Sequence, residues 1–135
     1  MKDLMKTNVY DASETMIIVG SCLEKMQPKA FENLKTFGND IYELCLESTH
    51  INMAVSKLCG IFARVKVKRV IFATVDKSPH CVQMHYIESE IRKIMKLENT
   101  EIEHYVAVND KLVKIDNDTI KLSRSLCELQ NLIKY

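Results

Sequence analysis

Short apolar runs of strand length alternate along this chain with longer segments of helical period, and few architectures accommodate that alternation. Three runs are rich in β-branched and aromatic residues: 16–20 (MIIVG), 41–46 (IYELCL) and 67–75 (VKRVIFATV). Continuous runs of this kind fit strands covered on both faces, as in a parallel sheet. A fourth, 102–108 (IEHYVAV), alternates less cleanly. Asn109-Asp110 comes next as a turn signal, so that 112–115 reads as a short return strand.

Helical segments fill the gaps. Pro28 opens one and Gly38 closes it, the expected placement of these residues. The next covers 51–64, with Ile51, Val55, Leu58 and Phe62 at helical spacing and Ser48 or Thr49 as its cap. Gly60 inside it costs about 1 kcal/mol relative to alanine, which close packing against the sheet would explain. The third helix starts at Ser78-Pro79 and carries Met84, Ile87, Ile91, Ile94 and Met95 on one face. The last covers 118–134, with Ile120, Leu122, Leu126, Leu129 and Ile133 as its apolar set.

The order βαβαβαβ, then a hairpin strand and a helix, predicts an α/β fold. The expectation is a small three-layer Rossmann-like or flavodoxin-like domain around a mostly parallel sheet of four to five strands, with right-handed crossovers. A length of 135 residues suits one core and is short for two. Residues 14–135 are read as that single domain and residues 1–13 as an N-terminal arm or short helix.

Charge and cysteine usage narrow the setting. A formal net charge of +1 gives no overall field to draw in nucleic acid or an anionic membrane. Lys66, Lys68 and Arg69 read as the solvated lead-in of a strand. Residues 1–13 hold no apolar run, so no secretory leader is expected, and no segment reaches the length of a membrane span. The five cysteines, at 22, 45, 59, 81 and 127, are odd in number and contain no C-x-x-C pair. Free thiols in a reducing cytoplasm are the expectation, rather than a disulfide framework or zinc ribbon. Cys45, Cys59 and Cys127 fall in apolar patterns and are assigned to the core.

In an open parallel sheet, ligands bind beyond the carboxyl ends of the strands, where strand order reverses. The first strand runs into Gly20-Ser21-Cys22, the second into Ser48-Thr49-His50, and the third into Asp76, Ser78 and His80. These are the candidate ligand-binding residues. With three glycines in all, the chain has no G-x-G-x-x-G or P-loop, and it has no G-x-S-x-G elbow.

The strongest local signal is Ser78-Pro79-His80-Cys81-x-x-x-His85. Ser78 suits an N-cap and Pro79 the first helical position, which puts Cys81 in a first turn that favours thiolate. Cys81 and His85, four apart, share a helical face, with Glu88 placed to orient the imidazole. A thiolate nucleophile with an imidazole partner fits this layout, which makes Cys81 and His85 the candidate catalytic pair. It equally fits ligands of a soft metal ion or iron–sulfur cluster, with Cys22 as a third. The bland alternative is a partly buried thiol and a surface histidine.

The segment resembles, over about one βα unit, the iron–sulfur electron-transfer subunits of some hydrogenases. Those place a cysteine next to a histidine-tyrosine pair. Here Val82, Gln83 and Met84 separate Cys81 from His85-Tyr86, and no residue role carries across. A non-catalytic module that binds a nucleotide or other small anion at the same edge is the competing reading. A homodimer or partner subunit, paired through the hairpin edge, is a third.

Overall fold

The computed structural model describes residues 1–134. Six strands form one sheet: β1 (Lys2–Asp3), β2 (Thr15–Gly20), β3 (Ile41–Leu44), β4 (Arg69–Val75), β5 (Glu101–Val108) and β6 (Lys111–Ile115). Their order is β1-β3-β2-β4-β5-β6, parallel throughout except for the antiparallel β5–β6 pair. Strand order reverses between β2 and β4, from which the sheet grows outward on opposite sides. The sheet has six strands rather than four to five, because Lys2-Asp3 adds to the edge beside β3.

That N-terminal edge is held by long-range polar contacts that no local pattern announces. The Asp40 carboxylate accepts from Lys2 Nζ (2.7 Å), from the Ser13 amide and hydroxyl, and from the Tyr42 hydroxyl. Burial alone would raise the Asp40 pKa, but these donors hold it below the usual carboxylate value. A 3-10 turn over Leu4–Lys6 comes after β1 and buries Leu4 completely.

Strand alternation explains the three layers. Met16, Ile18, Val70 and Phe72 point to one face and pack with α3 (Ile51–Arg64) and α5 (Ile87–Ile94). Ile17, Val19, Ile71, Ala73 and Val75 point to the other, over α1 (Leu23–Met26) and α2 (Pro28–Leu34). The hairpin turn at Asn109-Asp110 has φ of 51° and 62°, the left-handed pair that a two-residue β-hairpin needs. Asp110 also ties the turn to the α1–α2 junction, accepting from the Lys29 amide and donating its own amide to Gln27.

Several local expectations change. The cap of α3 is His50, whose Nδ1 accepts from the Asn52 amide, and neither Ser48 nor Thr49. Gly60 faces Val9 and Arg64 rather than the sheet, at ordinary contact distances. Helix α2 ends at Leu34, before Gly38, in a turn through Thr36 and Phe37. The helix expected over 118–134 is broken into α6 (Asn117–Leu122) and α7 (Leu126–Leu132). Ser123 donates its hydroxyl to the Ile120 carbonyl at the break. Every residue of α7 keeps some exposure, so Cys127 is exposed rather than in the core, while Cys45 and Cys59 are half-buried.

Among the described residues, no helix is long and apolar enough to cross a membrane.

Candidate functional site

The segment after β4 starts as its sequence indicates. Ser78 caps α4 (Pro79–Val82), accepting from the Cys81 amide at 3.3 Å, and Pro79 takes the first helical position. The helix then tightens into a 3-10 turn over Gln83–Tyr86 before α5 begins at Ile87. A 3-10 turn advances about 120° per residue against about 100° for an α-helix, so it swings the later side chains round the axis. Cys81 and His85 therefore face different surroundings. The Cys81 thiol points at Gly20 and Cys22, whereas the His85 imidazole is buried and points at Thr74 and His104.

His85 is the middle of a buried hydrogen-bonded chain. Its Nε2 lies 2.7 Å from Thr74 Oγ1 and its Nδ1 2.9 Å from His104 Nδ1. His104 Nε2 donates to Glu88 Oε1 at 2.6 Å, and Arg92 Nε donates to Glu88 Oε2 at 2.8 Å. Thr74, His85, His104 and Glu88 are all buried, and Arg92 closes the chain at the surface.

The strands bring these groups together. Thr74 and His104 occupy the same sheet face as Phe72, which stacks on the His104 ring at 5.5 Å. Glu88, expected to orient His85, instead orients His104. From sequence alone His104 reads as a structural strand residue and Thr74 carries no mark of its own. The available signal is one polar residue on each of two otherwise apolar strand faces, opposite a helix bearing His85 and Glu88 three apart.

Charge in the chain is set by burial and pairing. Burial, then His104, depresses the His85 pKa to about 3, so His85 is neutral at pH 7. Burial works to raise the Glu88 pKa, but hydrogen bonds from His104 and Arg92 and their charges outweigh it and leave the carboxyl below its usual value. With Glu88 ionised, two proton arrangements satisfy every atom. In one, Thr74 donates to His85, His85 to His104 and His104 to Glu88. In the other, His104 is an imidazolium that donates both ways, and His85 donates to Thr74. The two differ by one proton and by the direction of the Thr74 hydroxyl.

Two cavities flank α4. The first, about 390 Å³, starts at the carboxyl end of β4 and extends over one face of the sheet across Val106 of β5 and Ile115 of β6, with Thr119, Ile120 and Ser123 opposite. Val75, Pro79, Val82, Val106, Ile115 and Ile120 make its walls mostly apolar, Thr74 and His85 supply a polar patch, and Asp76 and Lys77 line it from the connection after β4. Lys77 has a φ of 70°, a left-handed conformation that costs a non-glycine residue about 1–2 kcal/mol. The second, about 240 Å³, lies between the ends of β2 and β3 and the start of α4, lined by Ser21, Cys22, Cys45, Glu47, His80 and Cys81 among others. Ser78 lines both.

Of the expected ligand-binding residues, Asp76 and Ser78 reach the first cavity, and Ser21, Cys22, Ser78 and His80 the second. Gly20 lies under the second, where a Cβ would come within 3.0 Å of Cys81 Sγ. Ser48, Thr49 and His50 line neither, being held in the turn that enters α3. Among the described residues, no group of three or more His, Cys, Asp or Glu side chains is arranged to hold a metal ion, so Cys22, Cys81 and His85 do not converge as a ligand set.

Because Gly20 makes room for a sulfur atom, Gly20→Val will destabilise the domain by about 1–3 kcal/mol through overpacking. Cys81→Ala in the same chain will recover part of that loss. Urea unfolding of the single and double variants checks it, and additive losses would show that the two sites do not touch energetically.

A family model described as a Rossmann-like domain matches residues 11–134. No curated protein and no solved structure matches the chain.

Proposed function

The chain belongs to the Rossmann-like domain family, and from that premise we propose that it binds a small molecule in the cavity beyond the carboxyl end of β4. Ligands of open parallel α/β sheets collect at the carboxyl ends of the strands near the reversal of strand order, and this cavity meets the sheet at the carboxyl end of β4, one of the two strands between which the order reverses. One observation carries the reading: a buried chain of ionisable groups ends at the cavity wall on Thr74 and His85. Packing alone gives no reason for it, since well-packed apolar residues often replace buried ionic groups without loss of stability. Perturbed, buried titratable groups facing a cavity are the physical signature of a functional site.

The lining specifies the ligand class. Five aliphatic side chains and Pro79 call for an apolar body, and the Thr74–His85 end calls for one hydroxyl or carbonyl head. Asp76 and Lys77 carry opposite charges at the same cavity, which favours a neutral ligand over an anion. The two proton arrangements let Thr74 accept from the head or donate to it. A proton taken from the ligand ends on His104, where the Glu88 carboxylate stabilises the resulting imidazolium. The geometry offers no support for a joint role of Cys81 with His85, since the two line different cavities.

The test is ligand-observed NMR with small neutral aromatic alcohols and ketones, beside AMP and inorganic phosphate. Val82, exposed on the cavity wall, is replaced by tryptophan to fill the space. The neutral compounds are expected to bind the parent chain and to lose binding about tenfold or more in Val82→Trp, the loss of one good contact's worth of affinity. Binding of the phosphates alone, or neutral binding unchanged in Val82→Trp, would sink the proposal.

A further inference from the structure

The second cavity holds two sulfur atoms that the ligand site does not use. Cys22 comes just after β2 and Cys81 lies in α4, 59 residues further along the chain, yet their Sγ atoms stand 3.9 Å apart. Neighbouring strands set this approach, since β2 and β4 pair in parallel, β2 ends two residues before Cys22, and β4 leads through the Asp76–Ser78 connection into α4, which carries Cys81. Gly20 clears the space between, because any Cβ there would press on Cys81 Sγ. The two thiols differ in access: Cys22 is exposed and Cys81 buried.

We infer that Cys22 and Cys81 are a redox modification site, at which a peroxide or a small disulfide closes a reversible disulfide across the β2–β4 edge. With hydrogen peroxide, the exposed Cys22 thiolate attacks one oxygen, the O–O bond breaks, and a sulfenic acid and water result. The Cys81 thiolate then attacks the Cys22 sulfur and displaces hydroxide, which leaves as water. Two thiols and one peroxide become one disulfide and two waters, so the cysteines lose two electrons and two protons and the peroxide gains them. With a small disulfide the same bond forms by two exchange steps, and two small thiols leave. Partial desolvation of its thiol, and then the neighbouring Cys81, raise the Cys22 pKa, so the first step accelerates as pH rises. Closure ties the turn after β2 to α4, the segment that also walls the first cavity. The chemistry itself does not depend on a ligand being there.

Trypsin places each of the five cysteines in its own peptide, which makes the test direct. The reduced full chain is treated with one equivalent of hydrogen peroxide at pH 8, alkylated, digested and mapped by mass. The expected product is the Cys22 peptide joined to the Cys81 peptide, with the intact mass down by two hydrogens and fully restored by dithiothreitol. Cys45→Ser and Cys127→Ser should leave it unchanged, and Cys22→Ser or Cys81→Ser should abolish it. Cys22 oxidised only to sulfinic or sulfonic acid, a linkage to Cys45 instead of Cys81, or a disulfide between chains would each overturn the inference. A folded Cys81→Ser variant, verified by circular dichroism, guards against misfolding as the cause of a lost crosslink.

Discussion

Glu88→Ala will lower the unfolding free energy by about 3 kcal/mol at pH 7, the low end of the loss for one partner of a buried ion pair. The carboxylate is buried and serves two donors, His104 Nε2 and Arg92 Nε. Arg92 is well exposed, so water replaces its partner at little cost. His104 has no such recourse, since its ring is buried between Phe72 and His85. An unmade buried donor costs about 1–3 kcal/mol, and the emptied volume adds a cavity term. Glu88→Gln keeps an acceptor for His104 and should lose about half as much. Urea unfolding curves give both values. A loss below about 1 kcal/mol in Glu88→Ala would mean that water already reaches His104.

The same chain separates structure from function. A triple variant, His85→Leu, Glu88→Leu and His104→Phe, removes every ionisable member of its buried part and leaves apolar groups of similar volume. Such replacements are often neutral or stabilising. Equal or higher stability with binding lost in the first cavity identifies the chain as functional. Unchanged binding in a stable triple variant counts against the proposed ligand site.

How much of this is legible in the sequence depends on the range of the forces involved. The strands β2 and β4 are legible because both faces are covered, which leaves an unbroken apolar run over Met16–Val19 and a nearly unbroken one over Val70–Val75. Ser78-Pro79 and Asn109-Asp110 are legible because caps and tight turns are decided within four residues. Strand β1 is not, since two residues carry no periodicity and Asp40 secures them from far along the chain. Pairing Cys81 with His85 rests on α-helical spacing, which the 3-10 turn at Gln83–Tyr86 does not keep. His104 looks structural because its partners, Glu88 and His85, reach it only through the β4–β5 pairing. Helix periodicity likewise assigns Cys127 to the core, although the break at Ser123 leaves α7 on the surface.

Acid will weaken the fold well before its carboxylates protonate, and His85 is the reason. Above pH 6.5 this imidazole is mostly neutral in both the folded and the unfolded chain, and its titration leaves stability nearly unchanged. As pH falls below 6.5, the unfolded chain takes up a proton that the folded chain refuses until about pH 3. The unfolded state then binds more protons, so stability falls with falling pH, at up to about 1.4 kcal/mol per unit. By pH 5 the loss amounts to about 2 kcal/mol. Below about pH 4.5, Glu88, Asp40 and Glu103 act in the same direction, because their folded pKa values lie below the unfolded ones and their pairing is lost as they protonate. Urea midpoints at half-unit steps from about pH 7.5 to 5 measure the first window, and the His85→Asn variant removes its titrating group. The parent chain should lose stability steadily below pH 6.5 while His85→Asn stays nearly flat to pH 5. Matching slopes in the two proteins would show that His85 takes up its proton in the folded state, and that the polar chain lies open to water.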